Sequence, residues 1–222
     1  MRRKNVAILS GNWVVNTSSD ARSATVTTGG GSAGSFDIVV LASGLSTRQL
    51  SPVVGPKLYA MRGQAMEVRS GASGYVLNHH IYAANGGRGR SAYLVPRSDG
   101  RVAMGVTYEP QKEEHGTVAS DIKAIREGCS DVCPTARSWP EIRRWSGIRP
   151  ASFDGRPFIG AVDEFGRMIV CAGHQGLGVT LAPVSAHLVK VLCDLNDPTD
   201  LTEVAKRERE AFTICSPLRP VL

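Results

Sequence analysis

The stretch CAGHQGLGVTLAPVSAHLVKVL, residues 171–192, sets three glycines within six residues, between an apolar run of strand type and a longer run of helical type. Glycines let a chain bend sharply and bare its amides. Thr180 is placed to cap a helix over residues 179–192, with Pro183 in its first turn, where a missing N–H is harmless. The head of such a helix aims free N–H groups and the positive end of its dipole at the glycine turn. Phosphate, carboxylate, or a flavin ring that gains negative charge would suit that position. The same spacing also serves a turn that merely packs a helix close to a strand. His174, within the turn, has the chemistry of a general base.

Other reactive side chains are scattered. Cys129, Cys133, Cys171, Cys193 and Cys215 form an odd set, which argues against a disulfide framework and for a reducing compartment. Cys129 and Cys133 could share a metal, but zinc needs two further ligands and no second pair has matching spacing, so no metal site is expected. The chain of 222 residues carries 26 basic and 20 acidic side chains, a formal charge of +6 that favours anionic ligands. The opening MRRK is the longest basic block, and Gly-Gly-Arg-Gly-Arg at residues 86–90 adds no recognition motif, so nucleic acid is not an expected partner. MRRKNVAILSGNWVV imitates a signal peptide, but Gly11 and Asn12 interrupt its apolar run and a buried strand is expected instead. Residues 168–189 lack Lys, Arg, Asp and Glu, yet Gly173, His174, Gln175, Gly176, Gly178 and Pro183 argue against a membrane span. A soluble, cytoplasmic protein is expected.

The elements that must position these groups fall into two styles. VAILSGNWVVN, SATVTTG and FDIVVLASG read as three strands, the third (residues 36–41) central and covered, with GGGSAGS as a turn. From Leu58 the segments LYAMRGQAMEV, YVLNHHIYA, SAYLVPR and RVAMGVTYE read as an antiparallel sheet with one wet face. Ser98-Asp99-Gly100 marks a hairpin. Residues 117–129 read as a helix capped by Thr117 or Ser120, and EIRRWSGIRP as a strand stopped by Pro150. PFIGAV and RMIVCAG return to the first style. Asp200 to Glu203 resembles a capping box opening a last helix through Phe212. The predicted fold class is α/β plus antiparallel sheet.

Three segments resemble the carboxyl-terminal part of the glycine oxidase and D-amino-acid oxidase family of flavoenzymes: FDIVVLASGLST, YLVPRSDGRVAMGVT, and WSGIRPASFDGRPFIGAV followed by CAGHQGLGVTLAPVSAHLV. RGQ at Arg62 to Gln64 fits a further family feature, and the match runs from about Val6 to Leu192. The resemblance implies a partial FAD-binding α/β domain, residues 1–57 and 151–222, with an inserted antiparallel β substrate domain, residues 58–150.

It also implies roles. Arg149, in GIRP, is similar to the arginine that grips the substrate carboxylate, a task for a planar fork of donors. Arg143, Arg144 and Arg156 are nearby candidates for the plainer role of a surface arginine. Tyr93 matches the hairpin tyrosine that assists, though a half-buried core tyrosine is the competing reading. Ala42, Ser43 and Gly44 would lie along FAD, as would Gly173, His174, Gln175, Gly176, Leu177, Gly178 and Thr180, with His174 contributing backbone rather than acting as a base. Arg62 and Gln64 would face the flavin's other side, with an edge-strand salt bridge as the bland alternative. The implied reaction is oxidation of a small amine or amino acid by hydride loss from Cα to the flavin, a matter of orientation more than of acid–base chemistry.

The family also opens with a strand, a Gly-x-Gly-x-x-Gly turn and a helix that bind the ADP half of FAD. Gly29-Gly-Gly31-Ser-Ala-Gly34 is the one glycine cluster near the start, and no strand–turn–helix pattern surrounds it. The expectation is therefore a chain that neither holds FAD tightly nor turns over unaided, with a second polypeptide supplying the dinucleotide-binding fold or a truncated product. A non-catalytic subunit acting in assembly is the alternative.

Overall fold

The computed structural model describes residues 6–31, 33–71, 77–86, 90–195 and 197–221. MRRK, Tyr75 and Val76 of the expected second-style strand, and residues 87–89 of the Gly-Arg loop lie outside these. Backbone packing divides the chain into two units, one made of residues up to Tyr59 and from Pro150 on, the other of Ala60–Arg149.

The first unit opens with β1 (Val14–Ser19), β2 (Ala24–Thr28) and β3 (Ala33–Phe36), an antiparallel meander in that order. The strand expected from Val6 does not form before Val14. Gly11 takes φ +78, and Val6, Ile8, Leu9 and Trp13 are exposed rather than buried. The cluster Gly29–Gly34 is a hairpin connection whose last residues join β3, not a turn into a helix. Residues 36–41 are not one central strand either. After β3 the chain breaks at Asp37, and β4 (Val39–Leu41) lies at the edge of its sheet, with Val40 39% exposed. A short helix α1 (Thr47–Leu50) follows, and Thr17 Oγ1 donates to the Leu50 carbonyl at 3.0 Å.

The second unit is built on a long strand, β5 (Leu58–Arg69), which carries the chain into it. With β6 (Ile81–Gly86), β7 (Arg90–Pro96), β8 (Arg101–Gly105), the short β9 (Glu109–Pro110) and, after helix α2 (Ala119–Val132), β10 (Glu141–Ser152), it forms a sheet ordered β10-β5-β8-β7-β6, with β9 paired to β5. Alternation along the strands sends Met66, Val68, Leu94, Val102 and Met104 to one face, against Ile122, Ile125 and Cys129 of α2 and the buried Trp139. Each such side chain contributes about 1.5–3 kcal/mol on burial. Neither Thr117 nor Ser120 caps α2. Its N-cap position is Val118, with no side-chain cap, and the Val118 amide donates instead to Gln64 Oε1 at 2.6 Å. Pro150 does not stop β10, which continues to Ser152.

The chain then returns to the first unit through β11 (Phe158–Ala161), β12 (Met168–Ala172), α3 (Gly178–Asp194) and α4 (Lys206–Cys215). β12 is central, antiparallel to β11 and parallel to β4. Ile159 and Ile169 pack with Leu188 and Leu192 of α3 and Phe212 of α4. The expected capping box does not open α4: Asp200 Oδ1 accepts from the Thr202 amide at 2.9 Å in a turn, and the helix starts after it. Thr180 is likewise no N-cap, since α3 begins at Gly178 with Leu177 before it, and Pro183 sits inside the helix rather than in its first turn. By length and composition the helical stretch Gln175–Asp194 could cross a membrane, but such a helix is weak evidence of a span, and Ser185, Leu188 and Leu192 are buried in the unit's own core.

Candidate active site

In the first unit the parallel register of β4 and β12 decides the geometry. Val39, Val40 and Leu41 lie opposite Met168, Ile169 and Val170, so residues 42–44 and 173–177 leave the same end of two adjacent strands. The crevice beyond the carboxyl ends of parallel strands is where open α/β sheets take ligands. Gly44 has φ +62, and a methyl group placed on it would meet nothing within 4 Å. Ala42 and Ser43 are exposed beside it, and Ser43 Oγ lies 3.0 Å from Thr47 Oγ1. Gly173 has both reasons to be glycine: φ is +82, and a methyl there would lie 3.2 Å from Leu58 Cδ2 and 3.3 Å from Phe158 Cδ2.

The turn after β12 is held from behind. Gln175, a non-glycine residue at φ +50, donates through Nε2 to the Ser152 carbonyl at 3.2 Å. The His174 ring reaches Ser185 Oγ at 2.9 Å, and its burial pushes the imidazole below its ordinary pKa, which favours the neutral form. The ring is thus committed to α3, leaving the His174 backbone at the turn. Gly176 and Leu177 are exposed, Gly178 starts α3, and the head of that helix has no side-chain cap. Thr180 is exposed within its first turn.

A support that sequence reasoning missed lies in the tail. Arg219 grips both oxygens of Asp154, at 2.7 and 2.9 Å, donates to the Arg156 and Pro157 carbonyls, and stacks on Phe158 with its guanidinium 3.9 Å from the ring centroid. Lys57 Nζ donates to the carbonyls of Pro217 and Arg219 at 2.7 and 2.9 Å. The hydrogen bond from Arg219 holds the Asp154 carboxyl well below the usual range. No motif announces this clasp; an ion pair between residues 154 and 219 has no sequence period.

In the second unit the sheet face turned away from α2 carries the other candidates. Arg149, near the end of β10, lies across Gly63 of β5, and Tyr93 of β7 lies across Gly105 of β8. The Arg149 guanidinium also sits 5.3 Å from the Tyr108 ring centroid. Its Nη1 is buried and has no hydrogen-bond partner. Burial raises the Tyr93 phenol above its ordinary pKa while the Arg149 charge opposes that, so the hydroxyl stays protonated and able to donate. Two of the three plainer arginines have acid partners: Arg143 pairs with Glu67 at 3.0 Å and Arg144 with Glu141 at 2.7 Å. Glu67 is fully buried and also meets Arg101 at 3.2 Å and Arg97 at 3.3 Å.

The side chains of Arg62 and Gln64 bond to acids of the second unit. Glu109 accepts from Arg62 Nη2 at 2.5 Å, Gln64 Nε2 at 2.7 Å and Thr107 Oγ1 at 2.7 Å, and Gln64 Nε2 also reaches Asp121 at 2.7 Å. Burial alone would raise the Glu109 carboxyl, but those bonds outweigh it and bring it down to about 2. The salt bridge weighed against the cofactor role for Arg62 is therefore present. Its signal was available: an acid in GVTYEP, one strand away from RGQ. Among the described residues no group of three or more His, Cys, Asp or Glu is placed to hold a metal, and all five cysteines are free.

Comparison with known proteins places the chain in a family. The profile of the family described as FAD dependent oxidoreductase matches residues 1–191. Glycine oxidase of Geobacillus kaustophilus (strain HTA426) is 31% identical over 170 residues, which are 76% of this chain and 43% of that protein. Glycine oxidase of Bacillus licheniformis is 28% identical over 201 residues, 89% of this chain and 52% of that one. The crystal structure of glycine oxidase from Geobacillus kaustophilus superposes with a TM-score of 0.76 at 25% identity, covering 95% of this chain and 53% of the other. The chain thus spans about half the length of the relatives it matches. With a profile match over most of its residues, the chain belongs to the FAD dependent oxidoreductase family.

Proposed function

We propose that this chain carries the flavin-ring contacts and the substrate carboxylate clamp of an enzyme that oxidises a small amine or amino acid, of glycine oxidase type. The observation that carries this reading is Arg149, whose buried Nη1 lacks an acceptor while Arg62, Arg97, Arg101, Arg143 and Arg219 all have acid partners. A buried, unpaired guanidinium N–H is expensive, and a carboxylate that accepts from it removes the penalty. Tyr93, kept protonated, assists as a second donor. Residues 58–150 would then be the substrate domain, and 1–57 with 151–222 the part of the FAD domain present in this sequence.

The residues at the ends of β4 and β12 suit the cofactor. Gly44 holds φ +62 with open space beside it, and the head of α3 has no side-chain cap. Ala42, Ser43 and Gly44 would line FAD from one loop and Gly173, His174, Gln175, Gly176, Leu177 and Gly178 from the other, with Thr180 just inside the helix. Arg62 and Gln64 would not contribute, since their side chains hold Glu109 and the Gln64 backbone bonds Thr107. Bound FAD would supply the hydride acceptor. The chain's own part is orientation: Arg149 fixes the acid group, and no general base is required of His174, which the Ser185 contact occupies.

The ADP half of FAD needs a Gly-x-Gly-x-x-Gly turn leading into a helix, and the one glycine cluster near the start is the β2–β3 hairpin. The reading therefore requires further polypeptide for that task, in the same chain or as a second polypeptide. The test is spectral. The purified chain should bind FAD weakly alone. With a dinucleotide-binding partner supplied, small amino acids should bleach the flavin band anaerobically, and Arg149→Lys should slow this by about 30-fold or more. Absence of bleaching by every small primary or secondary amine, or equal rates in the variant, would overturn the proposal. A chain purified with stoichiometric FAD and no partner would contradict the need for one.

A further inference from the structure

Gly63 lies in the middle of β5 and Gly105 ends β8, positions where a β-branched side chain would normally pack on its neighbours. Both are buried, and neither takes positive φ, so a left-handed backbone explains neither. What each requires is room. A methyl group on Gly63 would overlap the Arg149 guanidinium, 2.6 Å from Cζ, 2.5 Å from Nη2 and nearer still to Nη1. A methyl group on Gly105 would lie 2.5 Å from both Cζ and Oη of Tyr93. The guanidinium and the phenol thus rest directly on bare backbone, and the depth at which they rest is set by the missing Cβ atoms. Gly147, in β10, is the contrast: exposed, with nothing within 4 Å of an added methyl.

We propose that Gly63 and Gly105 are positioning residues for the carboxylate site, fixing where the Arg149 and Tyr93 donors sit. The proposal rests on the reading of Arg149 as a carboxylate clamp. A long, flexible arginine yields to a new methyl group without dragging the strand with it, so Gly63→Ala should leave the fold intact and misplace the fork. Tyr93 is a stiff ring and must swing as a whole, so Gly105→Ala should disturb both binding and stability.

The test is a ligand-detected NMR titration of benzoate, a carboxylate probe, into the chain and its variants, with thermal melting alongside. Gly63→Ala should raise the benzoate Kd by about 10-fold or more at a nearly unchanged melting temperature. Gly147→Ala should match the wild type in both. The double variant Gly63→Ala/Arg149→Lys should bind no worse than Arg149→Lys alone, because the glycine acts only through that side chain. If Arg149→Lys weakens benzoate while Gly63→Ala and Gly105→Ala do not, the positioning role is refuted and the clamp stands. If the two Gly63 and Arg149 effects add in full, the glycine acts by another route and the proposal fails. If Arg149→Lys itself changes nothing, the clamp reading falls and takes this proposal with it. Should Gly63→Ala melt at a much lower temperature, the glycine serves the fold rather than the fork and the proposal fails.

Discussion

Replacing Glu109 by Gln perturbs the polar network of the second unit at its centre while keeping its shape. The carboxylate accepts from Arg62 Nε at 3.1 Å, Arg62 Nη2 at 2.5 Å, Gln64 at 2.7 Å and Thr107 at 2.7 Å. An amide removes the charge and turns one acceptor into a donor facing donors. Arg62, only 6% exposed, is then left as a buried cation without its counterion. Such a loss destabilises by more than about 1 kcal/mol, whereas the exposed Lys112, 3.3 Å from Glu109, contributes less. Urea unfolding followed by tryptophan fluorescence measures both: Glu109→Gln should lower the midpoint strongly and Lys112→Ala barely. A Glu109→Gln variant within about 1 kcal/mol of wild type would refute the argument that this network anchors β5, β9 and α2.

The same group sets an acid limit. Its folded pKa of about 2 lies below the ordinary 4.5, so its stabilisation is complete above pH 4.5 and is lost as pH falls towards 2. Melting temperature against pH should drop over that window in the wild type, and the Glu109→Gln variant should lack that part of the drop. In the first unit Arg219→Ala removes a bidentate pair with Asp154 and the packing on Phe158, and should cost about 2 kcal/mol or more by chemical denaturation. Asp154→Asn should cost less, since the Arg219 donors keep their backbone carbonyls.

Much of the second unit could be read from its residues because alternation in RGQAMEV, AYLV and RVAMG separates a face of Met, Val and Leu from one of Gly, Ala and Glu. The first unit was harder. VAILSGNWVV has the composition of a buried strand, yet composition does not say what covers it, and here Gly11 breaks the run and leaves Ile8 and Leu9 exposed. The centrality of residues 36–41 failed for the same reason: apolarity on both faces signals cover, and β4 has a neighbour on one side alone among the described residues. Helix starts also escaped, at Thr117, Thr180 and Asp200: no side chain caps α2 or α3, and Asp200 closes a local turn instead of opening α4. The glycine turn after β12 was legible in type. That it leaves the sheet beside Ala42–Gly44 depends on a parallel pairing between residues 129 apart, which no local pattern encodes. Gly63 lay unnoticed inside RGQ, though a glycine interrupting a strong strand is itself a sign of close approach.

The claim on which the account turns is that the Arg149 guanidinium waits for an acid group. Crystals soaked in benzoate or glycine, solved with density clear at β10, test it directly. The expected result is a carboxylate within hydrogen-bond distance, about 2.7–2.9 Å, of Arg149 Nη1. A carboxylate bound elsewhere, or Nη1 paired with a protein carbonyl or carboxylate in its absence, would contradict it.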